Sequence, residues 1–234
     1  MVHKRNSEEL GRLVVSFFFL VAAGALFFAG ISRIPPAKQN KNTEVLGETS
    51  TQDTQFARDI SAILEDLGTY SDAVYTQTVD SEQLKLTGEY MVDVDDQVAY
   101  ADKTLTNPAT GEVQHQEESI HNGSVNIRTD QGESKFGIEF ANPLLKTKEA
   151  FLDYLNRQII SETRTELEDG TVRYTFRTED SAGFYDLEAI VTSDGDVRSL
   201  TFPYSDGGSN TIIIRSHDTG IEVPSFEVTR ATPS

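Results

Sequence analysis

Residues 84–94 read LKLTGEYMVDV. The even positions Leu84, Leu86, Gly88, Tyr90, Val92 and Val94 are apolar or small, whereas the odd positions Lys85, Thr87, Glu89 and Asp93 are polar, with Met91 between them. A period of two puts successive side chains on opposite faces, so this stretch predicts a long, half-buried antiparallel strand. Gly88 at its centre predicts a bend or a close approach of another group to the backbone. The same beat continues downstream, at 97–107, 112–121, 124–129, 133–141, 161–168, 171–177, 184–192, 197–204, 210–216 and 221–228. Turn residues punctuate it: Asp95-Asp96, Asn107-Pro108, Asp169-Gly170 and Asp194-Gly195, with Asn122-Gly123 as the strongest hairpin signal. The count is about eleven strands, with turns about every eight to twelve residues.

Two stretches change the period to that of a helix. In 55–67, Phe56, Ile60, Ile63, Leu64 and Leu67 fall on one face, with Thr54 as cap and Gly68 as stop. In 147–160, Phe151, Leu152, Leu155 and Ile159 do the same behind Thr147, after Pro143 has broken the sheet. A sheet this long tends to curl. The expected fold class is therefore α+β: a curled antiparallel half-barrel of about eleven strands with two helices packed on it, spanning 55–230.

Upstream the chain is of another kind. Residues 13–31, LVVSFFFLVAAGALFFAGI, carry no charge. As a helix they are about 28 Å long, close to the hydrocarbon core of a bilayer. A signal-peptide apolar region is shorter, about 7–15 residues, so an uncleaved single-pass anchor is expected. Lys4, Arg5 and Arg12 precede it and Arg33, Lys38 and Lys41 follow it. The short basic start at 1–12 is read as a cytoplasmic tail. Pro35-Pro36 opens a polar spacer, 32–54. The C-terminal domain is then expected outside the cytoplasm, at the cell membrane.

Charge narrows the partners. Of 20 Lys/Arg and 38 Asp/Glu, residues 42–234 hold 14 and 36. A domain so acidic repels phosphate backbones, so no nucleic-acid partner is expected. No cysteine is present, which removes disulfides, thiolate chemistry and a lipobox anchor. No Gly-x-Ser-x-Gly elbow, phosphate loop, dinucleotide fingerprint or His-Glu-x-x-His motif occurs. His115 and His121 share strand parity about Glu117, short of the ligand set that a metal needs. Asp93, Asp95, Asp96, Asp194 and Asp196 lie at turns and do not match a calcium loop. Neither catalytic residues nor a metal or cofactor are expected, and the chain is read as no enzyme.

The ordered pattern resembles the LolA-like superfamily: periplasmic lipoprotein carriers, related actinobacterial lipid-transfer lipoproteins, and anti-sigma regulators of the same fold. The resemblance rests on a helix followed by Tyr75-Thr76-Gln77-Thr78-Val79, and on Thr87-Gly88-Glu89-Tyr90 within the long strand. The hairpin Ser119-Ile120-His121-Asn122-Gly123-Ser124-Val125-Asn126-Ile127 and the late Gly220-Ile221-Glu222-Val223-Pro224 complete it. It implies a half-barrel whose apolar concave side, lidded by helices, holds acyl chains or a partner's lipid group. Leu86, Tyr90, Phe136, Ile138, Phe140, Tyr174 and Phe176 would line that side; the alternative is that they make a dry core. The expected function is thus binding of a lipid or other apolar ligand. The alternative is an envelope interaction or sensor domain that binds a protein partner.

Overall fold

The computed structural model describes residues 55–204 and 207–228. The tail, anchor and spacer read at 1–12, 13–31 and 32–54 lie outside the described residues. Among the described residues no helix is long and apolar enough to cross a membrane.

Helix α1, Gln55–Leu67, has the bounds that its apolar spacing predicts and buries Ile60, Leu64 and Leu67. Six strands follow: β1 Asp72–Asp80, β2 Lys85–Asp93, β3 Val98–Thr106, β4 Val113–His121, β5 Ser124–Thr129 and β6 Gly132–Gly137. Helix α2, Pro143–Leu155, precedes β7 Gln158–Glu166, β8 Val172–Asp180, β9 Gly183–Val191, β10 Val197–Pro203 and β11 Ser209–His217. All eleven strands join one sheet in the order β6-β5-β4-β3-β2-β1-β11-β10-β9-β8-β7, and each described pairing is antiparallel.

The order has a simple logic. The chain starts at the centre with β1 and meanders outward to the edge strand β6. It then crosses through α2 to the opposite edge, β7, and meanders back until β11 pairs with β1. Because side chains alternate, the register carries one face across the whole sheet. From Tyr75 the inner face passes to Tyr90, Ala101, Glu118 and Ile127 on one side, and to Ile214 on the other. The helices lie on this face: Phe56 of α1 meets Tyr174 edge-on at 6.3 Å, and Phe151 of α2 meets Phe202 at 6.1 Å. They pack over β7 to β10. Lys148 of α2 reaches Glu65 of α1 at 2.6 Å.

Four details differ from the sequence reading. The stretch 72–80 is the central strand β1, although its polar middle, Thr76-Gln77-Thr78, breaks the apolar alternation. Gln77 on the inner face is satisfied by Asn210 of β11 at 3.0 Å. Residues 221–228, read as a closing strand, are irregular. Both sides of β11 are already taken, by β1 and β10, so no ladder is open to them. They cross the outer face instead, where the Phe226 N–H donates to Ser119 Oγ at 3.2 Å and the Val228 N–H to Asn126 Oδ1 at 3.1 Å. The strand expected over 133–141 stops at Gly137, opposite the first residue of β5, Ser124. Beyond that pair there is no partner strand among the described residues, and only the Ile138 N–H still reaches the Gly123 carbonyl, at 2.9 Å. Finally, α2 begins at Pro143 rather than Thr147 and ends at Leu155. Asn142 caps it through Oδ1, accepting from the Leu144 and Leu145 N–H groups, and Pro143 fits a first helical turn that has no use for its N–H. Ile159 and Ile160 belong to β7.

Candidate functional site

The inner face has two arms of different chemistry. On the β8–β10 arm the inward positions include Tyr174, Phe176, Leu187, Ala189, Leu200 and Phe202, all buried, with Thr178 the buried polar member of β8. Against them lie Ile60 and Leu64 of α1 and Phe151 of α2, also buried. Tight packing of this kind leaves a residue such as Phe176 worth several kcal/mol to the fold.

On the β2–β4 arm the inward positions include Leu86, Tyr90, Leu105 and Ile120, but also Lys103, Gln114, Gln116 and Glu118. Lys103 of β3 stands directly opposite Gln116 of β4, and Glu118 is its diagonal neighbour. The Lys103 ammonium and the Gln116 Nε2 both donate to Glu118 Oε1. Each of the three side chains is about 1–2 % exposed. Among the described residues, Glu118 Oε2 and Gln116 Oε1 are buried with no hydrogen-bond partner. Burial raises the Glu118 carboxyl above its ordinary range, against the pull of Lys103 and Gln116. Burial likewise lowers the Lys103 amine, against the pull of Glu118.

Two tyrosines stand beside this cluster. Tyr75 and Tyr90 stack at 4.9 Å with rings 3° from parallel. Burial pushes both phenols well above their usual range, and the Glu118 charge adds to it. Gly88 makes the stack possible, because a Cβ there would come within 2.9 Å of the Tyr90 ring. The close approach expected at Gly88 is therefore made by its own neighbour two residues on. An aliphatic and aromatic wall thus surrounds one ion pair with two open acceptors. Chemically it can take hydrogen-bond donors out of water; these residues make no nucleophile–base pair.

The seven residues implied by the resemblance do not form one cluster. Leu86 and Tyr90 lie on the inner face of β2, and Tyr174 and Phe176 on the inner face of β8, with four strands between them in the sheet. Phe136 is on the inner side of the edge strand β6 and is 42 % exposed. Ile138 and Phe140 fall in the half-buried passage to α2, beyond the sheet. Lys103, Gln116 and Glu118 were not singled out. Their parity was the available signal: Lys103 shares a face with Ala101 and Leu105, and Glu118 with Ile120. A polar residue at an apolar position is the kind of local conflict that marks a site.

A groove of about 450 Å³ lies elsewhere, at the outer face of β7 to β10, among Ser161, Thr175, Arg177, Asp186, Glu188 and Thr201, with Phe176 and Leu187 also touching it. Its lining mixes polar and apolar groups.

These features define a helix-lined antiparallel half-barrel with a polar cluster on its inner wall. No family model matches the chain, and no curated protein does. Among solved structures it is similar to LprF from Mycobacterium bovis, at 11% identity and a TM-score of 0.51, over 74% of this chain and 97% of LprF. An uncharacterized conserved protein from Thermus thermophilus is matched at 10% identity, a TM-score of 0.37, and 68% and 85% coverage. A β-barrel-like protein of unknown function from Brucella abortus is matched at 10% identity, a TM-score of 0.28, and 63% and 96% coverage. The likeness to LprF is one of fold.

Proposed function

We propose that this chain is a membrane-anchored, non-catalytic binding protein of the LolA-like kind, whose half-barrel takes a lipid or other apolar ligand outside the cytoplasm. One observation carries the reading: the inner face has more apolar surface than its two described helices occupy. Each helix is 13 residues, about 20 Å long and about 10 Å wide. Side by side they cover about four strands at the ~4.8 Å strand spacing, and they pack over β7 to β10. The inward positions of β2 to β5, Leu86, Val92, Leu105, Ile120 and Ile127, make a second apolar surface beyond those strands. An apolar ligand suits surface of this kind.

The test is native mass spectrometry with lipid extraction on the purified chain and on its 50–234 portion. A co-purified lipid of defined mass supports the reading. A clean apo mass, unchanged by added membrane extract, overturns it. The alternative, a domain that binds a protein partner, draws on the exposed Phe136 and Ile160 at the two open edges of the sheet.

A further inference from the structure

We propose that Lys103, Gln116 and Glu118 bind the head of the ligand, and that this head carries neutral hydrogen-bond donors, free hydroxyl groups, on an otherwise apolar molecule. The inference rests on the ligand-binding reading above and specifies its chemistry.

The valences of the cluster decide the class. Glu118 Oε1 is saturated by Lys103 and Gln116, which fixes the orientation of both the carboxylate and the amide. On the acceptor side what remains are Glu118 Oε2 and Gln116 Oε1, two oxygens that only accept and that meet no donor among the described residues. Buried acceptors are nearly always satisfied, and leaving two open beside each other is costly unless something supplies donors. The amide cannot simply be turned over, because its oxygen would then face the Glu118 carboxylate. The ionic charges of Lys103 and Glu118 cancel, so a phosphate or carboxylate head would bring an unpaired negative charge into a buried wall and no donor for either oxygen. A head with no polar hydrogens would leave both oxygens as they are. A neutral glycerol-type polyol satisfies them; a primary ammonium also supplies donors, but it brings an unpaired positive charge beside Lys103. Around the cluster the stacked Tyr75 and Tyr90, with Leu105 and Ile120, offer apolar contact to the carbon chain that follows such a head.

Four probes with one common chain test this on the full chain in a maltoside detergent: monoolein, oleylamine, methyl oleate and oleate, each radiolabelled and followed by gel filtration. Wild type is expected to hold monoolein at least about tenfold more tightly than methyl oleate or oleate, as two hydrogen bonds imply. Oleylamine, which adds a net positive charge beside Lys103, is expected to bind less tightly than monoolein, and a preference for it over monoolein overturns the hydroxyl assignment. In the variant Lys103→Met/Gln116→Leu/Glu118→Leu the ratio is expected to fall to near one. That variant replaces the ion pair by apolar side chains of similar size, a change that folds usually tolerate, and its melting curve verifies it. Gln116→Leu alone keeps the ion pair and is expected to lose part of the preference. Equal binding of all four probes by wild type, or oleate as the preferred one, overturns the inference while leaving an apolar site in place. Binding of none of them overturns the ligand-binding reading itself.

Discussion

On β8 the inward positions include Tyr174 and Phe176; at the same parity on β3 and β4 they include Lys103, Gln116 and Glu118. Both sets are buried, both belong to the same face of the same sheet, and both arise from a strand that alternates. The alternation therefore says which side chains turn inward without saying what the inside is made of. On the β8–β10 arm the interior is held by shape, through aromatic contacts with two helices. On the β2–β4 arm it is held by matched charges in a medium that penalises any mismatch.

The largest effects expected are those that expose this contrast. Glu118→Ala strands the buried Lys103 charge and is expected to cost about 3–5 kcal/mol in urea unfolding. Replacing both partners, Lys103→Met with Glu118→Leu, is expected to return stability to near wild type. Phe176→Ala is also expected to cost about 3–5 kcal/mol, by a cavity. Here a second truncation at Phe202 should deepen the loss instead of relieving it. If the double change at Lys103 and Glu118 is as damaging as Glu118→Ala, the polar arm is not held by matched charge. A smaller effect is expected at Asn142→Ala, about 1 kcal/mol, since it removes the oxygen that caps α2 over the apolar arm.

The smallest effect is one of pH. Asp180, at the end of β8, accepts from the Ala182 N–H at 2.7 Å, from the Tyr185 hydroxyl at 3.0 Å and from Arg157 at 2.6 Å. Led by the Ala182 bond, these hold its carboxyl below the usual range. A folded-state value below the unfolded one means that the contribution is complete above the unfolded value, about 3.9, and is lost as pH falls through and below it. Asp180→Asn is therefore expected to lower the melting temperature at pH 6, with the gap closing as the pH falls below the unfolded value of about 3.9. A gap that stays constant between these values removes the carboxylate from the explanation.

How much of this could be read beforehand follows the same division. Local pattern sufficed for α1, for β2 and for the Asn122-Gly123 hairpin, where both turn residues adopt positive φ, 51° and 67°. It failed where the deciding fact was non-local. Ile221 and Val223 alternate like a strand, yet 221–228 has no edge left to join. Strand β1 is central and keeps Gln77 inside because Asn210, more than a hundred residues on, satisfies it. Nothing in 133–141 announces that its partner strand starts only at Ser124. For the site, the aromatic residues implied by resemblance are spread over two arms and a connecting segment. The polar cluster is written in the parity of two neighbouring strands, and it becomes visible once their register is known.

The route of α2 from one edge of the sheet to the other has a mechanical consequence. Residues 138–157 are the covalent link that joins β6 directly to β7. Pulled taut around the intact helix they reach about 50 Å. Laid flat, eleven strands hold their edges about 48 Å apart. In a flattened sheet the strap would therefore have almost no slack, whereas here it is seated across β8 to β10. Flattening the sheet would draw α2 from its aromatic seat, so full opening works against the stiffness of the core itself.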